Sequence, residues 1–188
     1  QIIDSGLYLE NNSRLNIRID RDNVLRGVFK SGRFALGKNY LKDFTLDIAS
    51  GDSVGTTAKL FSKNIRLAGI VMDSTNVRVG ANSNILDASF RFTNDSTGNS
   101  GASFIAKATF LPGKNMVLDI LDGSGLSIDG EHWKFNPSKV SLLDDDIIIE
   151  GFNLYNKGQS LAMEGNISKY DYDSLDFRMD NFDMGIIN

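Results

Sequence analysis

The segment Gln159-Ser160-Leu161-Ala162-Met163-Glu164-Gly165-Asn166-Ile167 decides the fold class. Leu161, Met163 and Ile167 occupy alternate positions, and Ser, Ala, Glu and Asn fill the places between. Period two is the mark of a strand with one buried face and one wet face. The same rhythm runs outward in both directions. Trp133 and Phe135 flank Lys134, Val140 and Leu142 flank Ser141, and Ile147, Ile149, Phe152 and Leu154 follow around Glu150-Gly151. Leu175, Phe177 and Met179 alternate with Asp176 and Arg178 beyond it. Gly151, Asn156-Lys157-Gly158 and Tyr170-Asp171-Tyr172-Asp173 supply the turn chemistry between these runs.

The N-terminal half repeats the style. Leu15, Ile17 and Ile19 alternate after the Glu10-Asn11-Asn12-Ser13 turn, and Leu25, Gly27 and Phe29 follow Asp20-Arg21-Asp22-Asn23. Ser31-Gly32 and Gly37-Lys38-Asn39 read as turns. Phe44, Leu46 and Ile48 form the next strand, and Ile65, Leu67, Gly69 and Val71 read as one alternating run. Leu86, Ala88, Phe90 and Phe92 face Phe104, Ala106, Ala108 and Phe110, an arrangement suited to cross-strand aromatic pairing. No window carries apolar residues at helical spacing with a cap and a Gly stop.

The expectation is an all-β chain. A dozen strands with one apolar face each must hide that face in a sandwich, a barrel or one curled sheet. Consecutive strands without long crossings, and inward residues of mixed size, favour an elongated, strongly curled sheet forming an apolar-lined trough. The alternatives are a β-sandwich or an irregular β-solenoid. The 188 residues read as a single segment of a longer repetitive protein, and the start at Gln1 fits that expectation.

Composition narrows the function. Charged residues are 23% of the chain and hydrophobic ones 41%, so the chain folds rather than staying disordered. A net charge of −4 without a basic cluster argues against nucleic acid as a partner. The absence of cysteine removes disulfides, thiolate zinc sites and thiol catalysis. No apolar run reaches the roughly 20 residues of a membrane-spanning helix.

Sites of chemistry are few. His132 is the single histidine, and beside Glu131 it reads as an exposed turn residue rather than a dyad. Asp144-Asp145-Asp146 and Asp20-Arg21-Asp22-Asn23 lack the glycine turn of a calcium loop and read as solvated turns. Tyr170 and Tyr172 flank a turn and read as packing rather than a sugar platform. No Gly-x-Ser-x-Gly, His-Glu-x-x-His or phosphate-loop motif is present. The chain therefore reads as non-enzymatic, without a cofactor or metal.

The ordered set Trp133-Lys134-Phe135, Asp146-Ile147-Ile148-Ile149-Glu150-Gly151-Phe152-Asn153-Leu154, Gln159-Ser160-Leu161 to Ile167-Ser168, Asp173-Ser174-Leu175-Asp176-Phe177 and Asn181-Phe182-Asp183 resembles TamB-like, AsmA-like envelope proteins of the Bacteroidetes type. The resemblance is strongest over 85–188 and weaker over 1–84. It implies a piece of a protein anchored in the inner membrane and crossing the periplasm as a β trough. That trough would shield phospholipid acyl chains and support phospholipid transport to the outer membrane, protein assembly there, or both. A BamA-like outer-membrane barrel would be a partner through parts of the chain not present. Asp52-Ser53-Val54, Asp95-Ser96-Thr97 and Asp173-Ser174-Leu175 match the short Asp-Ser/Thr signature of O-glycosylation in that group.

The candidate groove lining is Phe90, Phe92, Phe104, Phe110, Trp133, Phe135, Ile147, Ile149, Phe152, Leu161, Met163, Ile167 and Phe177. The rival function is a non-catalytic glycan- or partner-binding β module of a surface protein, with a plain structural spacer and a β-helix hydrolase behind it.

Overall fold

The computed structural model describes residues 6–52, 55–94, 99–169 and 172–181. Among these residues there is no helix, and fifteen strands form one sheet. They are β1 (Leu7–Leu9), β2 (Arg14–Ile19), β3 (Leu25–Leu36), β4 (Asn39–Gly51), β5 (Gly55–Leu67), β6 (Ile70–Asn82), β7 (Ile85–Thr93) and β8 (Gly101–Phe110). There follow β9 (Met116–Ile120), β10 (Gly125–Ile128), β11 (Glu131–Phe135), β12 (Ser138–Leu143), β13 (Asp146–Asn156), β14 (Gln159–Ile167) and β15 (Ser174–Asp180).

The topology is a plain meander. β1 and β2 lie end to end along one edge of β3. β9 and β10 share one edge of β8 in the same way, and β11 and β12 share one edge of β13. Counting each such pair as one tier, fifteen strands make twelve tiers, and each tier pairs antiparallel with the next in sequence. At about 4.8 Å per tier the sheet is about 50 Å long. Among the described residues β15 pairs only β14, and β1 and β2 pair only β3. The sheet therefore has two edges and does not close. It is neither two sheets nor a stack of parallel rungs.

Tight turns hold the meander together. Ala68-Gly69, Asp129-Gly130, Asp144-Asp145 and Lys157-Gly158 each connect consecutive strands with two residues, all at positive φ. That is the two-residue turn whose twist matches the flanking strands. Ala68-Gly69 corrects the sequence reading, which ran Leu67, Gly69 and Val71 together as one strand. Gly69 at φ +90 sits in the second turn position, where a side chain would be strained.

The opposite correction applies to Ser31-Gly32 and Gly151. Neither reverses the chain. Both lie inside long strands, at points where the ladder lapses. Gly32 faces Asp43, Asp43 faces Lys63 and Lys63 faces Ser74, and pairing is interrupted at each, although it resumes on both sides. Asp43 and Ser74 take φ +46 and +44 there. Further along, the line continues through the 121–124 insertion between β9 and β10, through Asn136-Pro137, and through the register shift between Ile149 and Phe152. On β3–β6, at Asn136-Pro137 and between Ile149 and Phe152 one extra residue keeps the apolar set on one face, the usual effect of a bulge, and the 121–124 insertion keeps it there with two. Leu41 and Phe44, or Met72 and Thr75, thus step by three where the strand elsewhere steps by two.

Hydroxyl side chains occupy this line. Ser62 and Thr75 are fully buried, and Ser31 nearly so. Ser62 Oγ donates to the Lys42 carbonyl at 2.8 Å, Ser31 Oγ donates to the Arg33 carbonyl at 3.0 Å, and Ser13 Oγ donates to Ser31 Oγ at 2.7 Å. At the 121–124 insertion the Ile105 amide donates to Ser124 Oγ at 2.9 Å. These short side chains satisfy main-chain groups that the interrupted ladder leaves without a cross-strand partner.

Candidate functional site: the apolar face

The register builds one apolar face along the whole sheet. One row crosses all twelve tiers without a gap: Ile19, Leu25, Ser50, Thr56, Ala81, Leu86, Ala108, Leu118, Val140, Ile149, Gly165 and Leu175 are successive cross-strand partners. The row four residues away runs Leu15, Phe29, Leu46, Leu60, Val77, Phe90 and Phe104. The other face carries charge. Asp87, Lys107, Asp119, Lys139 and Glu150 alternate in sign across five tiers, an arrangement that suits a wetted surface.

All thirteen lining candidates fall on the apolar face. Phe90 pairs Phe104 directly, and Phe92 pairs Ala102, which pairs Leu126, which pairs Trp133. Phe110 pairs Met116, then Leu142, Ile147 and Ile167 follow across. Ile149 lies in the unbroken row. Phe135 pairs Leu154 and then Leu161, while Phe152 pairs Met163 and then Phe177. Phe90 and Phe92 ring centres are 5.4 Å apart, and those of Phe135 and Phe152 are 5.5 Å apart.

Their burial differs. Trp133 is 2% exposed and Ile149 is buried, so both belong to the packed interior rather than to an open surface. Phe110, Ile147, Ile167 and Phe177 are exposed, and the remaining seven are half-buried. Small neighbours explain the half-burial of the aromatics: Ala102, Ala106 and Ala108 on β8 leave the rings beside them uncovered from above.

The lining candidates run from Phe90 to Phe177, and the apolar face continues on the N-terminal side of them. A cavity of about 490 Å³ lies at the other end of the same face, lined by Leu9, Leu15, Ile17, Leu25, Phe29, Leu46 and Ile48 among others. Phe29 and Phe44 pack edge to face beside it at 5.3 Å. The alternation of these residues was legible; that they share a face with Phe90 follows only from the cross-strand register.

The polar candidates resolve into structural contacts. Glu131 turns away from His132: its carboxylate accepts from Asn156 Nδ2 and Lys157 Nζ, each at 2.9 Å. The Asn156 hydrogen bond, then Lys157, hold its carboxyl below the usual range. His132 Nδ1 lies 2.7 Å from Ser127 Oγ, its cross-strand partner on an exposed hairpin. Asp144 and Asp145 form the turn between β12 and β13, and Asp146 accepts from Ser168 Oγ at 2.6 Å. Asp20 is held below its usual range by the Arg26 hydrogen bond at 2.5 Å, aided by the charges of Arg18 and Arg26. Among the described residues no three His, Asp or Glu side chains converge as a metal site. Ser53, Ser96 and Tyr170, and the Phe182-Asp183 ending, lie outside the described residues; Ser174 opens β15 and is exposed.

No family model, curated protein or solved structure matches the chain.

Proposed function

We propose that this chain is a lipid-shielding segment of a TamB-like, AsmA-like envelope protein, in which the sheet curls along its line of lapsed pairing into a trough. The observation that carries the reading is the continuous apolar face over twelve tiers, left uncovered by any second layer among the described residues. A strip about 50 Å long and about 13 Å wide, the span of four residues along a strand, covers about 650 Å², more than the few hundred Å² of apolar patch that a soluble monomer ordinarily leaves in water. Interruptions cross β3–β6 at matched positions, with positive φ at Asp43 and Ser74, and such bulges bend strands.

An acyl chain suits such a face. Each methylene removed from water gains about 0.8 kcal/mol, and the contact needs no fixed polar partner. The segment is non-catalytic on this reading. It would sit in the periplasm, within a longer protein held at the inner membrane, and would support phospholipid passage to the outer membrane or protein assembly there, with a BamA-like barrel as partner of other parts of that protein. The sequence resemblance and the apolar face support this reading independently.

The test is native mass spectrometry and lipid extraction on the chain purified from a two-membrane bacterium without detergent. Co-purified phospholipid that disappears in Phe104→Arg, with the variant still folded, is the expected result. A lipid-free wild-type chain that also fails to take up phospholipid from vesicles would overturn the reading.

A further inference from the structure

The charged face is uneven along the sheet. On β2 to β6 four pairs of cations stand directly opposite each other on neighbouring strands: Arg14 and Lys30, Arg18 and Arg26, Arg33 and Lys42, and Lys59 and Arg78. All eight are exposed. Like charges directly opposite each other destabilise a sheet. Asp20 bridges Arg18 and Arg26, but among the described residues no carboxylate is ion-paired with the other six. Asp47 and Asp73 are the acidic residues in these rows, so cations far outnumber them. Beyond β8 the pattern ends. Lys107, Asp119, Lys139 and Glu150 alternate in sign, and at the far end Glu164 stands opposite Asp176. The net charge of −4 conceals the cluster, which only the register assembles.

Aromatic rings lie among these cations. Phe61 is 46% exposed on the charged face, between Thr45 and Asn76 on the neighbouring strands. The Tyr40 ring has the Lys42 ammonium 5.0 Å and the Arg33 guanidinium 5.8 Å from its centre. A phenyl ring with polar cross-strand neighbours gains little from packing there. Cations interleaved with exposed rings are what a surface lying at the lipid headgroup layer presents, the charges meeting phosphates and the rings entering the interface. The strands β3 to β6 are paired on both sides, so this face does not depend on the edges of the sheet.

We infer that the charged face of β2 to β6 docks on an anionic lipid surface, with its arginines and lysines against headgroup phosphates and Phe61 entering the interface. The eight cations spread over five tiers and four rows rather than along one line, which fits a plane of phosphates and not a single polyanionic strand. Such a surface offsets the repulsion between the facing cations. The inference stands on the charged face and does not depend on what the apolar face holds.

The experiment is co-sedimentation of the chain with phosphatidylcholine vesicles, with or without phosphatidylglycerol, at low and high salt. Binding is expected only where phosphatidylglycerol is present, and it should weaken as salt rises. Arg33→Gln with Lys42→Gln should lower the vesicle partition about thirtyfold, at about fivefold per cation beside an anionic surface. Lys59→Gln with Arg78→Gln should do the same, whereas Lys134→Gln with Lys139→Gln, on the same face beyond β8, should leave it unchanged. The urea midpoint of the double variant at Arg33 and Lys42 should equal or exceed that of wild type, since a repulsive pair is removed. Its loss of binding then reports the surface and not the stability. In Phe61→Trp the added emission should shift to the blue with phosphatidylglycerol vesicles, with Trp133 in the wild-type chain as background. A chain that ignores phosphatidylglycerol vesicles overturns the inference. So does equal binding to phosphatidylcholine alone, which would put the contact on the apolar face, or an equal loss in the variant at Lys134 and Lys139. Retention on dextran sulfate without vesicle binding would also overturn it, in favour of a soluble polyanion.

Discussion

Replacing Ile48 separates the apolar face as a binding surface from the apolar face as mere packing. Ile48 lines the cavity near β2 and is 38% exposed. Full burial of such a side chain is worth about 1.5–3 kcal/mol, so a ligand covering the exposed share gains about 0.6–1.1 kcal/mol from it. Ile48→Ala should therefore weaken an apolar ligand about three- to sixfold. Ile48→Asp adds a carboxylate that the ligand would have to desolvate, and the loss should exceed about thirtyfold, or about 2 kcal/mol. Asp47→Ala, one residue away on the charged face, should change nothing. The assay is a fluorescence titration with the neutral dye N-phenylnaphthylamine at a protein concentration low enough to keep the chain dispersed. Urea unfolding of each variant checks that the fold is intact. Equal affinity in wild type and Ile48→Asp, or an equal loss in Asp47→Ala, would refute the assignment of binding to this face.

Three further outcomes follow from the packing. Trp133→Ala should destabilise the sheet by about 3–5 kcal/mol in urea unfolding, because the indole is almost fully buried and leaves a cavity. Asp43→Gly should be neutral or mildly stabilising, whereas Asp43→Val should cost about 1–2 kcal/mol, because φ is +46 where pairing lapses; equal unfolding midpoints for the two would argue against that conformation. Glu131 has a depressed pKa in the folded chain, so its contribution to stability is present above its unfolded value near about 4.3 and is lost as the pH falls through the lower folded value. Urea midpoints measured from neutral pH into acid should fall less steeply in Glu131→Gln than in wild type.

Much of the fold was written in the alternation itself. Leu161-Met163-Ile167 and Phe44-Leu46-Ile48 read as strands because one-sided burial forces period two, and Asn156-Lys157-Gly158 read as a turn because Gly tolerates positive φ. That β7 and β8 pair with aromatics facing each other was legible from two runs of Phe and Ala on neighbouring strands, while the match of Phe90 to Phe104 came from the register. The Leu67-Gly69-Val71 run misled because a two-residue turn preserves parity: apolar residues on either side of Ala68-Gly69 keep the same spacing as in an unbroken strand. Ser31-Gly32 misled in the other direction, since a bulge and a turn use the same small and flexible residues.

By itself, then, the sequence determined that this chain is all-β and that each strand has one apolar side. Period two and turn residues are local properties, and local sterics decide them. Only the tertiary structure decided that every apolar side belongs to one face, that Leu15 and Ile17 share it with Phe177 and Met179, and that the interruptions in the strands fall on a single line. Those facts depend on which residue stands opposite which, and cross-strand register is set jointly by all the turns and bulges between two positions, so no single segment carries it.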